Sequence, residues 1–277
     1  LATLSVDQRF VAAIFSTTIA LWALEAFPAG LTALLAPLVL VAQGALGIER
    51  YLRSLFDPVV ILMAACFILA MALERSGIAN RLALNILSRR YSTRSYGSFL
   101  LTLGALCSGL SLLVSNTAVA AMMLPVGLTV IQRLGDALPA RCRIGLLLMI
   151  TWGASVAVGF LVGTPPNLIG VSYAAEVGVH IGFLEWMIFG MPINIIMLAV
   201  AWLILMVIYG RGAPDMGSAR ELAIGERRKL GQLTAPEKWT LGVLVVVLIS
   251  WSLPDSFAAL RGPTDPVAEI LSQLLSP

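Results

Sequence analysis

Long apolar stretches alternate with short polar segments along most of this 277-residue chain. A helix that crosses a bilayer needs about 20 mostly apolar residues, because the hydrocarbon core is about 30 Å thick. The pattern therefore predicts an all-α polytopic membrane protein, with multiple passes through the cell inner (plasma) membrane. Seven stretches carry no Asp, Glu, Lys or Arg: 10–24, 31–48, 58–73, 95–132, 144–175, 186–210 and 239–254.

Composition and charge support this fold class. Charged residues make up 12% of the chain, whereas soluble domains carry about 25%, so a water-soluble protein is disfavoured. Of the 18 Lys and Arg residues, 14 lie in 75–94, 133–143 and 211–238. Basic loops tend to stay in the cytoplasm. The basic residues therefore indicate topology, and they do not indicate a nucleic-acid partner.

Placing these basic loops on one side of the membrane predicts the order of the elements. Apolar residues at helical spacing, interleaved with Arg81, Asn85 and Arg90, predict an interfacial amphipathic helix over 77–91. A sharp turn is predicted at Phe27-Pro28. The remaining predictions are helices over 8–25, 29–47, 58–74, 185–210 and 239–254, a loop over 48–57, a cytoplasmic linker over 211–238 and a polar tail over 255–277.

The uncharged segment 95–132 has basic flanks at both ends, so it must leave and return on the same side of the membrane. Two full spans with a surface turn would satisfy this, and so would a re-entrant helical hairpin. At its centre lies the polar triplet Ser115-Asn116-Thr117, with apolar residues close on both sides. A surface turn usually shows several polar or turn-forming residues. The pattern therefore favours a re-entrant hairpin over 95–133 with a buried tip.

The next uncharged segment, 144–175, would form a helix about 48 Å long if it were continuous, which is longer than the hydrocarbon core is thick. Thr164-Pro165-Pro166 interrupts it. Proline lacks the amide proton and clashes with the preceding helical turn. We therefore predict a broken transmembrane helix over 143–180, unwound at 163–167.

Irregular backbone at membrane depth occurs only inside protein or around a watery cavity. There, the amides at the start of a broken helix favour an anion, and unwound carbonyls can coordinate a cation. Ser, Asn and Thr add oxygen ligands without a formal charge, whereas a fixed carboxylate would repel an anionic substrate. The alternative is that these side chains only hydrogen-bond neighbouring helices. Because two breaks occur in neighbouring segments, we favour the interpretation that these residues form a site for an anion and Na⁺ bound side by side.

Four motifs resemble those of the divalent anion/sodium symporter family of the ion transporter superfamily. They are LLVSNTAVAAMMLP (112–125), VGTPPNLIG (162–170), LWALEAFPAGLTALL (21–35) and FDPVVILMAACFILAMALER (56–75). The resemblance runs from about residue 8 to residue 254. It implies a homodimeric secondary active transporter with an elevator-type mechanism. The implied cargo is a di- or tricarboxylate such as succinate or citrate, coupled to Na⁺, with no other cofactor and no catalytic residue.

The resemblance also implies a role for each of several segments and residues of the chain. Segment 1–94 would supply scaffold-type transmembrane helices and 95–180 the transport-domain elements. The implied Na⁺ ligands are Ser111, Ser115, Asn116, Gly163 through its carbonyl, and Asn167. The implied substrate-binding residues are Ser115, Asn116 and Thr117, which would face a carboxylate, and Thr164, Pro165 and Pro166, which would shape the wall.

The family pattern has two inverted repeats, and only one is visible in this sequence. A second SNT-type tip is absent, and Thr264-Asp265-Pro266 lies in a polar tail and does not replace the second break. The chain is therefore expected to be the N-terminal half of a transporter plus one helix. Within the first repeat, Val119 replaces the usual Thr after the SNTA motif, so fine selectivity is not defined by the motif.

Three alternatives to this function follow from the sequence. A sulfate or arsenite transporter, or a Na⁺/H⁺ antiporter of the same superfamily, is possible, although an antiporter favours acidic residues that 95–132 and 144–175 lack. An intramembrane hydrolase with Ser115 as nucleophile would need an activating base, and these segments offer none. An inactive half-transporter fragment is a further alternative. The three cysteines, Cys66, Cys107 and Cys142, lack metal-type spacing and are interpreted as structural thiols.

Overall fold

The computed structural model of the chain describes residues 5–261 and residue 270. All regular structure in this part of the chain is helical, which confirms the all-α prediction. Four stretches are long and apolar enough to cross a membrane: Ile48–Ser76, Asn116–Ala137, Phe183–Tyr209 and Ala235–Leu260. The chain divides into two compact units, Leu1–Ile61 and Leu62–Pro277.

The first unit contains α1 (Val6–Ala23), α2 (Ala29–Ala42) and α3 (Ile48–Leu55). The predicted turn is confirmed, because α1 ends before Phe27 and Pro28 caps α2. Glu25 adopts a positive φ of 49° there, and the Ala26 amide donates to the Leu21 carbonyl. This is the hydrogen-bond pattern that closes many helix C-termini, normally with glycine in the left-handed position.

The predicted loop over 48–57 is wrong, because α3 occupies most of it. Glu49 and Arg53, one helical turn apart, form an exposed ion pair of 2.7 Å. Tyr51 is buried, and its hydroxyl donates to the Leu34 carbonyl at 3.2 Å. A short helix with one buried side chain has too few apolar positions to be recognised by periodicity.

The second unit is built around α6 (Tyr96–Ser111), whose buried face packs against α7 (Asn116–Leu134), α8 (Ala140–Ser155) and α10 (Phe183–Tyr209). At the α6–α8 crossing, a Cβ on Gly153 would lie 2.8 Å from the Gly104 carbonyl oxygen. Small residues are what allow membrane helices to approach this closely. The other helices of this unit are α5 (Ile78–Leu87), α9 (Pro165–Glu176), α11 (Gly217–Lys229), α12 (Ala235–Arg261) and most of α4 (Pro58–Ser76), whose first four residues belong to the first unit.

The segment predicted as a linker, 211–238, contains the helix α11 packed on α5. Its buried face consists of the small residues Ala219 and Ala223, which give little hydrophobic signal. Arg227 reaches across to Ser88, with its guanidinium donating to the hydroxyl at 3.3 Å. The cytoplasmic location of this segment stays a prediction.

The amphipathic helix predicted over 77–91 is present as α5, although Arg81 on its expected polar face has only 11% of its side chain exposed. Its guanidinium donates to Glu237 of α12 at 2.6 Å and to the carbonyls of Leu230, Gly231 and Gln232. Arg81 therefore holds the connection between α11 and α12. The interfacial location of α5 stays a prediction.

The helix α12 continues past its predicted end at 254, so the expected polar tail over 255–277 begins with helix. Asp255 accepts a hydrogen bond from the Leu184 amide at 2.6 Å and thereby caps the N-terminus of α10. Thr264-Asp265-Pro266 lies outside the described residues.

Candidate functional site

The first helix break joins α6 to α7 through residues 112–115. Ser115 is the N-cap of α7, and its hydroxyl accepts a hydrogen bond from the Ala118 amide at 3.2 Å. The Ser111 hydroxyl donates to Asn116 Oδ1 at 2.7 Å, and Ser111 is fully buried. One short hydrogen bond therefore ties the end of α6 to the start of α7 across the break.

Because α7 and the turn after it are long enough to cross a membrane, the re-entrant path of 95–133 stays a prediction. The helix–break–helix arrangement around the polar triplet is present in the structure. Thr117, the third member of the triplet, is exposed in the first turn of α7.

The second break joins α8 to α9 through residues 156–164. The predicted limits of the unwound segment, 163–167, are wrong: Thr164 is the N-cap, and Pro165 and Pro166 are the first residues of α9. Proline prevents a helix before it but suits the first helical turn, where the missing amide proton is not needed. The prolines therefore mark the end of the break and not its centre.

Side chains from elsewhere satisfy the backbone of this second break. The buried side chain of Asn194 on α10 accepts from the Val158 amide at 3.1 Å and donates to the Ser108 hydroxyl at 2.9 Å. The Trp186 indole, also on α10, donates to the Val158 carbonyl at 3.0 Å. Unpaired backbone groups are costly at membrane depth, so these contacts stabilise the unwound chain.

Asn194 and Trp186 were not among the site residues predicted from the sequence. One signal was available: Asn194 is the only Asn, Gln, Ser or Thr in the uncharged run 186–210. A lone amide in such a run must find a partner within the protein. Which partner it finds depends on the packing of α10, which the sequence pattern does not reveal.

Both breaks open into one cavity of about 580 Å³ within the second unit. Residues of α4, including Cys66 and Phe67, form the facing wall. None of the residues that line this cavity is Asp, Glu, Lys, Arg or His. The lining residues that come from the two breaks and the helices after them are Leu113, Val114, Ser115, Asn116, Val158, Val162, Gly163, Thr164, Pro165, Pro166, Asn167 and Leu168.

The cavity therefore brings together most of the predicted site residues. Of the expected Na⁺ ligands, all but Ser111 line the cavity, and Ser111 is hydrogen-bonded directly to Asn116. Of the expected substrate-binding residues, all but Thr117 line it.

Backbone carbonyls from the two breaks converge at Gly163. A Cβ placed on this glycine would lie 3.2 Å from the Leu112 carbonyl oxygen and 3.3 Å from the Ala157 carbonyl oxygen. Neutral oxygens of unwound backbone and of Ser and Asn side chains are the ligands that Na⁺ takes in broken-helix transporters. The absence of a side chain at Gly163 keeps the two breaks close together.

Two helices, α7 and α9, begin at this cavity, so the positive ends of two helix dipoles lie beside it. Because Pro165 and Pro166 carry no amide proton, the first donor available in α9 is the Asn167 amide, which bonds the Thr164 carbonyl at 3.1 Å. The Asn167 side chain donates to the Phe160 carbonyl at 3.0 Å. The site thus offers partial positive charge and neutral oxygens without a fixed charge.

A family model described as the sodium:sulfate symporter transmembrane region matches residues 2–267. The chain belongs to this family. The match confirms the predicted resemblance, and membership of this symporter family identifies the chain as a multi-pass protein of the plasma membrane and not an enzyme. The hydrolase alternative is therefore set aside.

Relatives of this symporter family member include sodium-dependent dicarboxylate transporters named SdcS. The protein from Staphylococcus saprophyticus is 31% identical over 254 residues, covering 87% of this chain and 48% of the relative. The protein from Staphylococcus aureus strain USA300 is 30% identical over 242 residues, covering 83% of this chain and 46% of the relative. The chain therefore spans about half the length of the curated relatives it matches.

Proposed function

We propose that this chain supplies one half of a secondary active transporter that moves a small dicarboxylate across the membrane together with Na⁺. The observation that carries the proposal is the shared cavity, where two helix breaks meet without any Asp, Glu, Lys, Arg or His among the lining residues. The similarity to sodium-dependent dicarboxylate transporters supports the same cargo and coupling ion.

In this proposal, Na⁺ binds the neutral oxygens around the first break: Ser111, Ser115 and Asn116, with the Gly163 carbonyl and Asn167 completing the shell. A substrate carboxylate binds beside it, at the starts of α7 and α9. Na⁺ at this position attracts the carboxylate and offsets the desolvation cost that an anion meets in a cavity of low dielectric constant. Binding of either ligand then favours binding of the other.

Thr164, Pro165 and Pro166 shape the wall next to the substrate in this proposal. Without His or acidic residues in the cavity, proton coupling has no titrating group of the usual kind. Transport should therefore depend on Na⁺ and change little with pH across the neutral range.

The arrangement of the whole transporter follows the family resemblance. We propose a homodimer in which 1–94 belongs to the scaffold and 95–180 to the part that carries substrate in an elevator-type movement. The second half of the substrate site would come from a second repeat, since this chain contributes one polar tip and one proline-containing break.

Uptake of radiolabelled succinate into proteoliposomes tests the proposal. We expect uptake to follow an inward Na⁺ gradient and to stop when K⁺ replaces Na⁺. Unlabelled citrate and sulfate, added as competitors, rank the possible anions. The protein is assayed as this chain alone and with the second repeat added, because the proposed substrate site draws on both repeats.

Asn116→Ala should abolish the Na⁺-driven uptake. Asn85→Ala is the matched control, because Asn85 is also half-buried but lies on α5 outside the cavity lining. Equal uptake with Na⁺ and K⁺, or full uptake by the Asn116→Ala protein, would contradict the proposal.

A further inference from the structure

A second cavity lies in the same unit and is basic where the first is neutral. It has a volume of about 750 Å³ and is formed by the α5–α6 loop, the α10–α11 loop and the start of α11. It is lined by Arg90, Tyr91, Thr93, Arg94, Asp215, Gly217 and Arg220.

Three guanidinium groups and one carboxylate give this cavity an excess of positive charge. Among the residues that the structure describes, none of Arg90, Arg94 and Arg220 lies within 4.0 Å of a carboxylate oxygen. The Arg220 guanidinium donates to the Ser88 carbonyl at 3.1 Å, which fixes it in the cavity wall. Arginine in such a setting binds phosphate oxygens through several parallel hydrogen bonds.

An apolar groove continues from this basic cavity. The groove has a volume of about 600 Å³ and shares Arg94 and Asp215 with the cavity. Leu101 of α6 and Trp202 and Met206 of α10 form its apolar wall. The Trp202 indole is held in place, since it donates to the Gly97 carbonyl at 2.9 Å.

The basic cavity and the apolar groove both lie where α6 begins and α10 ends. The helix α10 is long and apolar enough to cross a membrane and ends at Tyr209, whereas α6 begins at Tyr96. Arg90 and Arg94 lie in the loop before α6, and Arg220 lies at the start of α11, beyond the end of α10. The groove runs between α6 and α10. Aromatic residues and arginines at helix ends are typical of the level of lipid headgroups.

We propose that the basic cavity binds the phosphate of an anionic phospholipid, whose acyl chain lies in the groove between α6 and α10. A free phosphate would use the arginines but leave the apolar groove without a ligand. A phospholipid fills both, with its charge among the guanidiniums and its hydrocarbon against Leu101, Trp202 and Met206. Basic pockets at the ends of transmembrane helices are known to suit such headgroups.

Native mass spectrometry of the purified full chain tests this site. The probes are phosphatidylglycerol, phosphatidylcholine with the same acyl chains, and inorganic phosphate. We expect retention of phosphatidylglycerol in preference to phosphatidylcholine. Arg90→Gln and Arg94→Gln should each weaken phosphatidylglycerol binding about fivefold, whereas Arg133→Gln, an exposed arginine outside the cavity, should leave it unchanged. Arg220 is not substituted, because it also bonds Ser88.

A second pair of variants tests whether the acyl chain lies in the groove. Leu101→Gln should weaken lipid binding, and Leu128→Gln, which changes a leucine of similar exposure (39% and 41%) on α7, should not. Asp215→Asn should strengthen binding, a gain that a misfolded protein would not show.

Two results would overturn the proposal. Equal retention of the two phospholipids, unaffected by the arginine variants, would show that the cavity does not select the anionic headgroup. Inorganic phosphate binding as tightly as phosphatidylglycerol, with no effect of Leu101→Gln, would identify a free-phosphate site in place of a lipid site.

Discussion

The two helix breaks that meet at the neutral cavity are stabilised in different ways. The break at 112–115 is short and closed by its neighbours in sequence, through the Ser111–Asn116 hydrogen bond and the Ser115 cap. The break at 156–164 is longer and depends on α10, through Asn194 and Trp186. A short break can thus be encoded locally, whereas a long one requires partners supplied by the tertiary fold.

The two breaks should therefore respond differently to amino-acid substitution. Substitutions in the short break should affect ligand binding more than folding, because its polar groups also line the cavity. Substitutions of Asn194 and Trp186 should affect folding first, because these side chains bond the backbone of the break and do not themselves line the cavity. Cys66 provides a common readout of ligand binding: it lines the cavity and is partly exposed, whereas Cys107 and Cys142 are buried.

The largest expected effect is that of Asn116→Ala on ligand binding. In the wild-type chain, Na⁺ with succinate should slow alkylation of Cys66 by a maleimide, and K⁺ with succinate should not. The variant should lose this protection, because one oxygen of the proposed Na⁺ shell and the partner of Ser111 are removed together.

Asn85→Ala, with the same side-chain change on α5, should keep the protection, and Cys66→Ser gives the background labelling. Protection that survives in the Asn116→Ala protein would remove the proposed Na⁺ site from the first break.

The next effect concerns the longer break. Asn194→Ala removes the hydrogen bonds to the Ser108 hydroxyl and to the Val158 amide, which keeps its second bond to the Val156 carbonyl at 2.9 Å. The Ser108 hydroxyl loses its donor, and an unsatisfied buried group costs about 1–3 kcal/mol. The variant should therefore unfold at a lower temperature than wild type in detergent, while Asn85→Ala should not. An unchanged unfolding temperature would mean that the second break does not depend on α10.

A smaller effect is expected where the two breaks touch. In Gly163→Ala the new methyl group meets the carbonyls of Leu112 and Ala157 at 3.2 and 3.3 Å, so these carbonyls must shift by a few tenths of an ångström. Overpacking of this kind costs roughly 1–3 kcal/mol, so the Na⁺ concentration for half-protection of Cys66 should rise about tenfold.

Gly170→Ala is the matched control, since a Cβ there has no atom within 4 Å. If both glycine variants behave like wild type, the close contact at Gly163 is not needed for binding.

The same comparison explains what the sequence could predict. Apolar runs without charges located the long helices, and the polar triplet with the proline pair indicated that two breaks share a site. The limits of the second break were misplaced because proline acts on the turn before it. The helices α3 and α11 were missed since their buried faces consist of Tyr51 in one case and two alanines in the other.

The contributions of α4 and α10 to the site lay beyond sequence reasoning for a different reason. Cys66 and Phe67 reach the cavity, and Asn194 reaches Val158, only through the packing of helices far apart in the chain. A single sequence carries periodicity and local chemistry but not the pairing of helix faces. Local motifs therefore defined the tip of the site, and the fold was needed to define its walls and supports.

The smallest expected effect is that of Thr117→Ala, which tests how far the short break extends. The family resemblance assigns Thr117 to the substrate, yet the side chain is exposed and does not line the cavity. An exposed substitution of this kind changes free energies by about 0.5 kcal/mol or less. The succinate concentration that gives half-protection of Cys66 in Na⁺ should then change by no more than about twofold. A loss as large as that of Asn116→Ala would show that Thr117 turns toward the substrate when the site is occupied, and that the first break rearranges on binding.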